Sequence, residues 1–541
     1  CLARRAGGDD LLSVGRVQTP TLAMIVERDL AIAAFVPETF WQFRADFRSG
    51  EATWRGTWFA PEVQDEKARK DDAPRAERVD SEEAAKALAA GVKGREGRVE
   101  TASSRTKMEP PPLLYDLTSL QRRANQRYGF SADRTLELAQ ALYERHKVLT
   151  YPRTDARYLT PDQVPTLPGV VGALSTVAPY KATAEELLAA PINPGRRVVD
   201  ANEVGDHHAI IPTDRPVGTA SLSVDEKRIF DLVARRLLAA LSAHARIELA
   251  EIIVAVPLPE PVPGVQSPAR FRAKGRVIAE AGWRAIDPPG RERDTLLPQL
   301  EEGAAAEVAE SEVHEGQTRP PKPHDDASIL RAMELAGNDL DDRDLARAMR
   351  SAGLGTPATR AAILKTLIAR RYVVRQGKAL NATDKGRALI AAIPVDELKS
   401  AVLTGRWEKR LSDIAEGRDG ARDFMRDAIR RLGEVIDAIK TAEPPDATAF
   451  QRAVDTPALG ECPACGQPVR ERGRVYRCDT GRDCPFVVFN PMVKRNISSR
   501  MVKELLSNGR TKVVKGFKSK AGRSFSAGLE VKEDGSVGLF F

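Results

Sequence analysis

Four of the five cysteines lie in one short stretch, spaced Cys462-x2-Cys465-x12-Cys478-x5-Cys484. This stretch has to fold so that two knuckles face each other, because four thiolates at such spacing form a tetrahedral zinc site with sulfur–metal distances of ~2.3 Å. Gly466 after the first pair and Thr480-Gly481 within the second supply tight turns. Four thiolates leave no position for water, so the zinc is structural. The competing reading is four free thiols. Clustering of this kind argues against a disulfide framework and for a cytoplasmic protein. Cys1 plays no part in it.

Charge divides the chain near the same place. Of 83 Lys/Arg and 76 Asp/Glu, 11 and 4 fall between Lys494 and Phe541, so the surplus of +7 belongs to this end and the rest balances. Lys512, Lys515, Lys518, Lys520 and Arg523 are interleaved with Val513, Val514, Phe517 and Phe525. Basic side chains can follow phosphates while an aromatic ring stacks on a base. Alternatively, the two rings form the core of a small β-rich domain with a basic surface. At 541 residues, 42% hydrophobic and 29% charged, the chain is globular and too long for one core. No window approaches the ~18 consecutive apolar residues of a membrane span. Arg4 and Arg5 lead into Ala-Gly-Gly-Asp-Asp, not into the apolar run of a secretory signal.

Several elements are legible. Thr19 is expected to cap a helix with Pro20 at its first position, and Leu22, Ile25, Val26 and Leu30 give its stripe. Strands are expected over Phe40–Phe47, Ala52–Phe59 and Ile247–Val256, and helices over Leu117–Tyr128, Ser131–Glu144 and Val224–Leu241. The charged run from Gln64 to Ala76 reads as an exposed excursion. Pro110-Pro-Pro112 cannot continue a helix or a central strand and marks a hinge, and Glu443-Pro-Pro445 marks the last linker.

Two constellations could carry chemistry. In Thr150-Tyr-Pro-Arg-Thr-Asp155, Pro152 holds Tyr151 extended, and Arg153 points to the same side, where it can grip a phosphate oxygen. A tyrosine hydroxyl, with a pKa near ~10, needs a positive site to attack phosphorus. The plain alternative is a structural tyrosine next to a turn. In Asp206-His-His-Ala-Ile-Ile-Pro-Thr213, one histidine at most can face a site from an extended segment, and an imidazole there can hydrogen-bond a phosphate or move a proton. An exposed pair without a role is the alternative.

Read in order, Ser13-Val-Gly-Arg-Val-Gln-Thr-Pro20, these two stretches, and Gly353-Leu-Gly-Thr-Pro-Ala-Thr-Arg360 resemble the signature motifs of type IA DNA topoisomerases, most closely the topoisomerase III group. Leu120-Gln121, the helix from Ser131 to Tyr143, and Ile497-Ser through Gly516-Phe-Lys-Ser-Lys520 fit the same family. The resemblance implies that Tyr151 cleaves one strand through a 5′-phosphotyrosine, that Arg153 steadies the scissile phosphate, and that His207 is the family histidine. It implies that Arg16 and Gln18 line a single-stranded DNA groove and that Thr359 and Arg360 touch the DNA backbone across it. Strand passage and religation would then relax negative supercoils or decatenate without ATP, and no G-x-x-x-x-G-K-[ST] loop is present. A helicase is an expected partner. A tyrosine recombinase is disfavoured, since no histidine is followed three residues on by arginine.

The implied fold is an α+β multidomain toroid with a zinc ribbon and a basic β-rich module. Its expected segments are 1–33 and 289–445 for domain IV, 34–110 and 244–288 for arch domain II, and 111–243 for domain III with the tyrosine. The ribbon is expected over 446–490 and the DNA-binding end over 491–541. The family also carries a Toprim domain with a glutamate and an Asp-x-Asp pair for magnesium ahead of the first motif. Asp339, Asp341 and Asp342 read as solvated surface, so magnesium ligands are expected outside this chain. On this expectation the chain alone is a C-terminal portion that binds DNA but relaxes it poorly. Relaxation of supercoiled plasmid by the purified chain with magnesium would contradict it.

Overall fold

The computed structural model describes residues 12–63, 75–79, 81–216, 221–290, 293–337, 353–442, 458–472, 475–519 and 524–541. Asp339, Asp341, Asp342, the Glu443-Pro-Pro445 linker, Lys520, Arg523 and most of the Gln64–Ala76 run lie outside these residues. Ala76 itself is buried, which corrects the exposed reading at that end.

Helix α1 (Gln18–Ala33) leads into β1 (Thr39–Ser49) and β2 (Ala52–Trp58), followed by α2 (Glu82–Val92) and the long β3 (Glu96–Glu109). Thr19 does not cap α1. It lies inside the first turn, where its hydroxyl accepts the Gly15 N–H at 3.0 Å, so the motif folds back on itself before the helix runs. Next come the helices α3 (Leu117–Tyr128), α4 (Ala132–Glu144), α5 (Leu167–Ser175), α6 (Lys181–Leu188) and α7 (Val224–Leu241). Local chemistry fixes their ends. Asp116 with Ser119 and Ser223 with Glu226 form capping boxes, Ser131 caps α4, and Gly129 ends α3 in the left-handed region.

Strands β4 (Ala245–Val256), β5 (Ala269–Glu280) and β6 (Ala305–Gln317) close a barrel in the order β1-β2-β5-β4-β3-β6. Its interior is aromatic: Phe43, Phe47 and Phe271 meet edge to face, with Trp54 stacked on Phe47. Strand β6 pairs with both β1 and β3, so the barrel runs on past residue 288, where the sequence reading closes the arch. Alternation of glutamate with small residues hides β6 in the sequence. Ala306 and Val308 point inward while Glu307 and Glu310 do not.

A third unit packs α1 against α8 (Asp326–Leu335), α9 (Pro357–Ala369), the β7 (Val373–Gln376) and β8 (Ala379–Ala382) hairpin and α10 (Asp384–Ala392), followed by α11 (Val402–Ala415) and α12 (Ala421–Thr441). The last unit holds β9 (Gly460–Glu461), β10 (Pro468–Arg472), β11 (Val475–Cys478), β12 (Val487–Phe489), α13 (Ser499–Asn508), β13 (Val514–Lys518), β14 (Ser524–Val531) and β15 (Val537–Phe540). Among the described residues no helix is long and apolar enough to cross a membrane.

The joint between the tyrosine-bearing helices and the α1 unit is unusually polar. Asp326, 1% exposed, accepts the Ala132 N–H at 2.9 Å and is clasped by Arg375. Across the same joint Lys365 pairs with Asp133 at 2.9 Å, while Gln121 ties α3 to Ala132 O of α4 at 3.0 Å. Removing Asp326 leaves a partly exposed guanidinium without its carboxylate and a buried helix N-terminal N–H without its acceptor. Asp326→Ala is expected to speed hydrogen exchange in the first turn of α4 by on the order of a hundredfold, and Asp326→Asn by less.

Candidate active site and metal centre

After α4 the backbone turns through Lys147, whose φ of 56° is left-handed, and then runs extended. Thr150 N–H donates to Ile211 O at 2.9 Å and Thr213 N–H to Val148 O at 3.0 Å, so the two constellations lie side by side as a short antiparallel ribbon. Tyr151 is half-buried, its ring edge-on to Tyr143 at 5.5 Å and tilted against His207 at 4.4 Å. Arg153 donates to the neutral side-chain oxygen of Gln140 at 3.3 Å, so its charge is steered but not cancelled by that contact. His207 is exposed, whereas a ring nitrogen of His208 meets Ala209 O at 2.8 Å. One histidine faces the tyrosine, as an extended segment requires. Tyr143 and Gln140 escaped the sequence reading because they lie on a helix whose apolar stripe explains itself without them.

The other motifs follow through a chain of contacts. Leu117 N–H donates to Thr154 O at 3.0 Å, and its neighbour Thr118 accepts Nη1 of Arg360 at 2.9 Å. Arg360 is only 3% exposed, and burial lowers its pKa against the pull of Glu334, Asp116 and Asp155. Its guanidinium joins α9 to α3. Thr359 is exposed, its hydroxyl turned back to Thr356 O at 3.1 Å. Gly353 has φ +60°, and a Cβ there would strike Met333 O at 2.6 Å. Gly355 has φ +75° and sits where a Cβ would press Val17 at 3.4 Å. The glycine turn therefore seats the first motif. Arg16 pairs with Glu408 at 2.8 Å, and Gln18 accepts from Arg370 at 2.8 Å. Arg370, exposed beside Gln18, is a cation that the sequence motifs do not contain.

The family model described as DNA topoisomerase matches residues 1–426, and one described as the C-terminal repeat of topoisomerase matches residues 483–541. The chain belongs to the type IA DNA topoisomerases. Within them it is topoisomerase III-like. It is 34% identical over 487 residues to DNA topoisomerase 3 of Bacillus subtilis (strain 168), a match covering 87% of this chain and 62% of the relative. It is 33% identical over 486 residues to DNA topoisomerase 3 of Bacillus licheniformis, with the same coverage. The chain thus spans about 62% of the length of these curated relatives. Full-length topoisomerase I from Thermotoga maritima shares the fold, with a TM-score of 0.57 at 19% identity over 91% of this chain and 71% of that one.

In this topoisomerase chain the four cysteine sulfurs lie within 4.8 Å of one another, with Cys462 to Cys484 at 3.7 Å and Cys465 to Cys478 at 3.5 Å. A tetrahedral zinc thiolate site spaces its sulfurs by ~3.8 Å, so the residues fit the ion. The first knuckle is backbone-bonded: Cys462 N–H reaches Gln467 O at 2.9 Å and Gly466 N–H reaches Cys462 O at 2.8 Å. Burial pushes the Cys462 thiol up, while the Thr480 hydroxyl draws the exposed Cys465 thiol down.

The ribbon and the basic end share one core, not two as their sequence boundaries imply: Cys462, Cys478 and Phe486 pack in one cluster with Val502, Phe517 and Leu529. Phe517 is fully buried and stacks on Phe525 at 5.8 Å, so the β-rich alternative holds for Phe517 and its ring is not open to a base. Lys512, Lys515 and Lys518 are exposed around it.

Proposed function

We propose that this chain carries out the strand-cleaving and resealing steps of a type IA topoisomerase. The observation that carries the reading is the contact of the Tyr151 and His207 rings, drawn from two separate motifs, with Arg153 two residues on held by Gln140 of the helix that also carries Tyr143. Tyr151 Oη attacks the phosphorus of a single strand, the P–O3′ bond breaks, and a proton passes from the phenol to the departing 3′ oxygen. The products are a 5′-phosphotyrosine and a 3′-hydroxyl. Arg153 holds a non-bridging oxygen as charge builds, and the imidazole of His207 hydrogen-bonds the phosphate or moves the proton. Phosphodiester energy stays in the aryl ester, so the reverse attack by the 3′-hydroxyl reseals the strand without ATP. Strand passage between the two steps relaxes negative supercoils or decatenates.

Magnesium, which the family resemblance implies, is not fitted by the described residues. Among them, the grouped side chains within reach of one ion are the four cysteines. Zinc, when bound, supplies no chemistry to the cut and holds the C-terminal fold.

The test is covalent capture. A single-stranded oligonucleotide labelled at its 3′ end is expected to migrate with denatured protein, while the same strand labelled at its 5′ end is released. Binding with no adduct would favour a chain that only holds single-stranded DNA.

Exposed lysines in the last unit make a separate expectation. Each phosphate neutralised on a single strand contributes ~0.7 to the slope of log affinity against log salt. Replacing Lys512, Lys515 and Lys518 together by glutamine should flatten that slope by about 2 in the full chain. An unchanged slope would mean that this face does not meet DNA.

A further inference from the structure

We propose that the Thr154 hydroxyl is the positioning group that holds His207 against Tyr151, an inference that rests on the reading of Tyr151 as nucleophile. Thr154 is 3% exposed and donates from Oγ1 to His207 O at 2.8 Å. The same oxygen accepts the Ala156 N–H at 3.1 Å, which occupies a lone pair and directs the single hydroxyl proton toward His207. The carbonyl of Thr154 takes the Leu117 N–H at 3.0 Å, so the threonine is itself pinned to the start of α3. His207 needs such an anchor because residues 205–207 are exposed.

The pairing has a counterpart at the other end of the ribbon. Thr150 Oγ1 accepts the Ile211 N–H at 3.0 Å and reaches Ala209 O at 3.3 Å. Tyr151 and Arg153 thus lie between two threonines that each tie their strand to the histidine strand. At Thr150 the backbone also bridges the strands, with Thr150 N–H on Ile211 O. At Thr154 the tie is the side chain, so the hydroxyl replaces a ladder bond at the residue that presents the imidazole. A dry hydrogen bond of this kind holds its partner more firmly than one in water.

The experiment uses the full chain with its six histidines labelled at Cε1 for NMR, the His207 signal being assigned by its loss in His207→Gln. Ring current from Tyr151 displaces this signal in the wild type. Thr154→Val is expected to move it toward the position of a freely exposed histidine and to lower adduct yield roughly tenfold. Thr154→Ser is expected to restore both. The other histidine signals report folding. If Thr154→Val does not fold, Thr154→Ser and Thr154→Ala decide, since they differ by the hydroxyl alone. A His207 signal unmoved in Thr154→Val, or identical in the Ser and Ala variants, overturns the proposal. Persistence of the adduct in Tyr151→Phe removes the nucleophile reading and leaves the His207 displacement standing.

Discussion

Tyr151→Phe is expected to abolish the protein–DNA adduct and leave DNA binding unchanged. The ring keeps its edge contact with Tyr143 and its tilt against His207, both of which are contacts of the ring and not of the hydroxyl. Folding cost should therefore stay within about 0.5 kcal/mol. Chemistry has no such tolerance. Without the phenol oxygen there is no group to form the ester, and the loss should exceed ~10⁴-fold, the range seen when a nucleophile is deleted. Arg153→Lys is the graded companion. It keeps the charge but loses the planar fork that Gln140 aims, and should cost on the order of 10²-fold in adduct formation. Denaturing gels of the 3′-labelled strand read both. An adduct surviving in Tyr151→Phe places the nucleophile elsewhere. An Arg153→Lys variant equal to wild type removes Arg153 from the phosphate.

What the sequence reveals, and what it conceals, follows from the range of the physics involved. Helix α3 runs over Leu117–Tyr128 and α7 over Val224–Leu241, matching the expected spans, because caps and apolar spacing are local. Strand β4 follows the run of β-branched residues that predicts it. Long-range terms escape. Strand β6 belongs to the barrel only because Val308 meets the far side of the same core. Nothing in the local sequence shows that the Arg360 side chain is buried against Thr118 of α3. Phe517 between lysines suggests an open ring, and only the packing of α13 and β14 around it shows otherwise.

The site divides in the same way. Tyr151, Arg153 and His207 stand out because the motifs are unusual in composition, and the structure puts the rings of Tyr151 and His207 in contact. Their supports are silent in sequence. Gln140 and Tyr143 lie on a helix that would form with many residues at those positions. Asp326 looks like an ordinary first-turn acid, yet it closes the joint to α4 from another unit. Arg16 and Gln18, for their part, are engaged in this conformation by Glu408 and Arg370, so contact with DNA would exchange those partners for phosphate.

Zinc removal carries the second large effect, and it separates the last unit from the rest. Structural zinc in small domains contributes ~10–16 kcal/mol of folding energy, more than a core the size of this one can replace. Cys462, Cys478 and Cys484 are buried in the cluster that also holds Phe486, Phe517 and Leu529, so loss of the ion should melt β9–β15 together. The barrel and helical units have their own cores, and the tie between Arg371 and Glu471 at 3.8 Å is weak. Calorimetry should show one transition lost on chelation, or in Cys478→Ser, with the others within a few degrees. Metal analysis should return one zinc per chain. Acid should act like chelation, since the cysteine thiols must shed protons to bind as thiolates and regain them on release. Lys512, Lys515 and Lys518 are displayed by this same core. Zinc-free chain should therefore lose at least as much salt slope in DNA binding as the triple glutamine variant, although no lysine has been removed. A zinc-free chain with the full slope would mean that the lysines act from a disordered end, and that the shared core has no part in holding DNA.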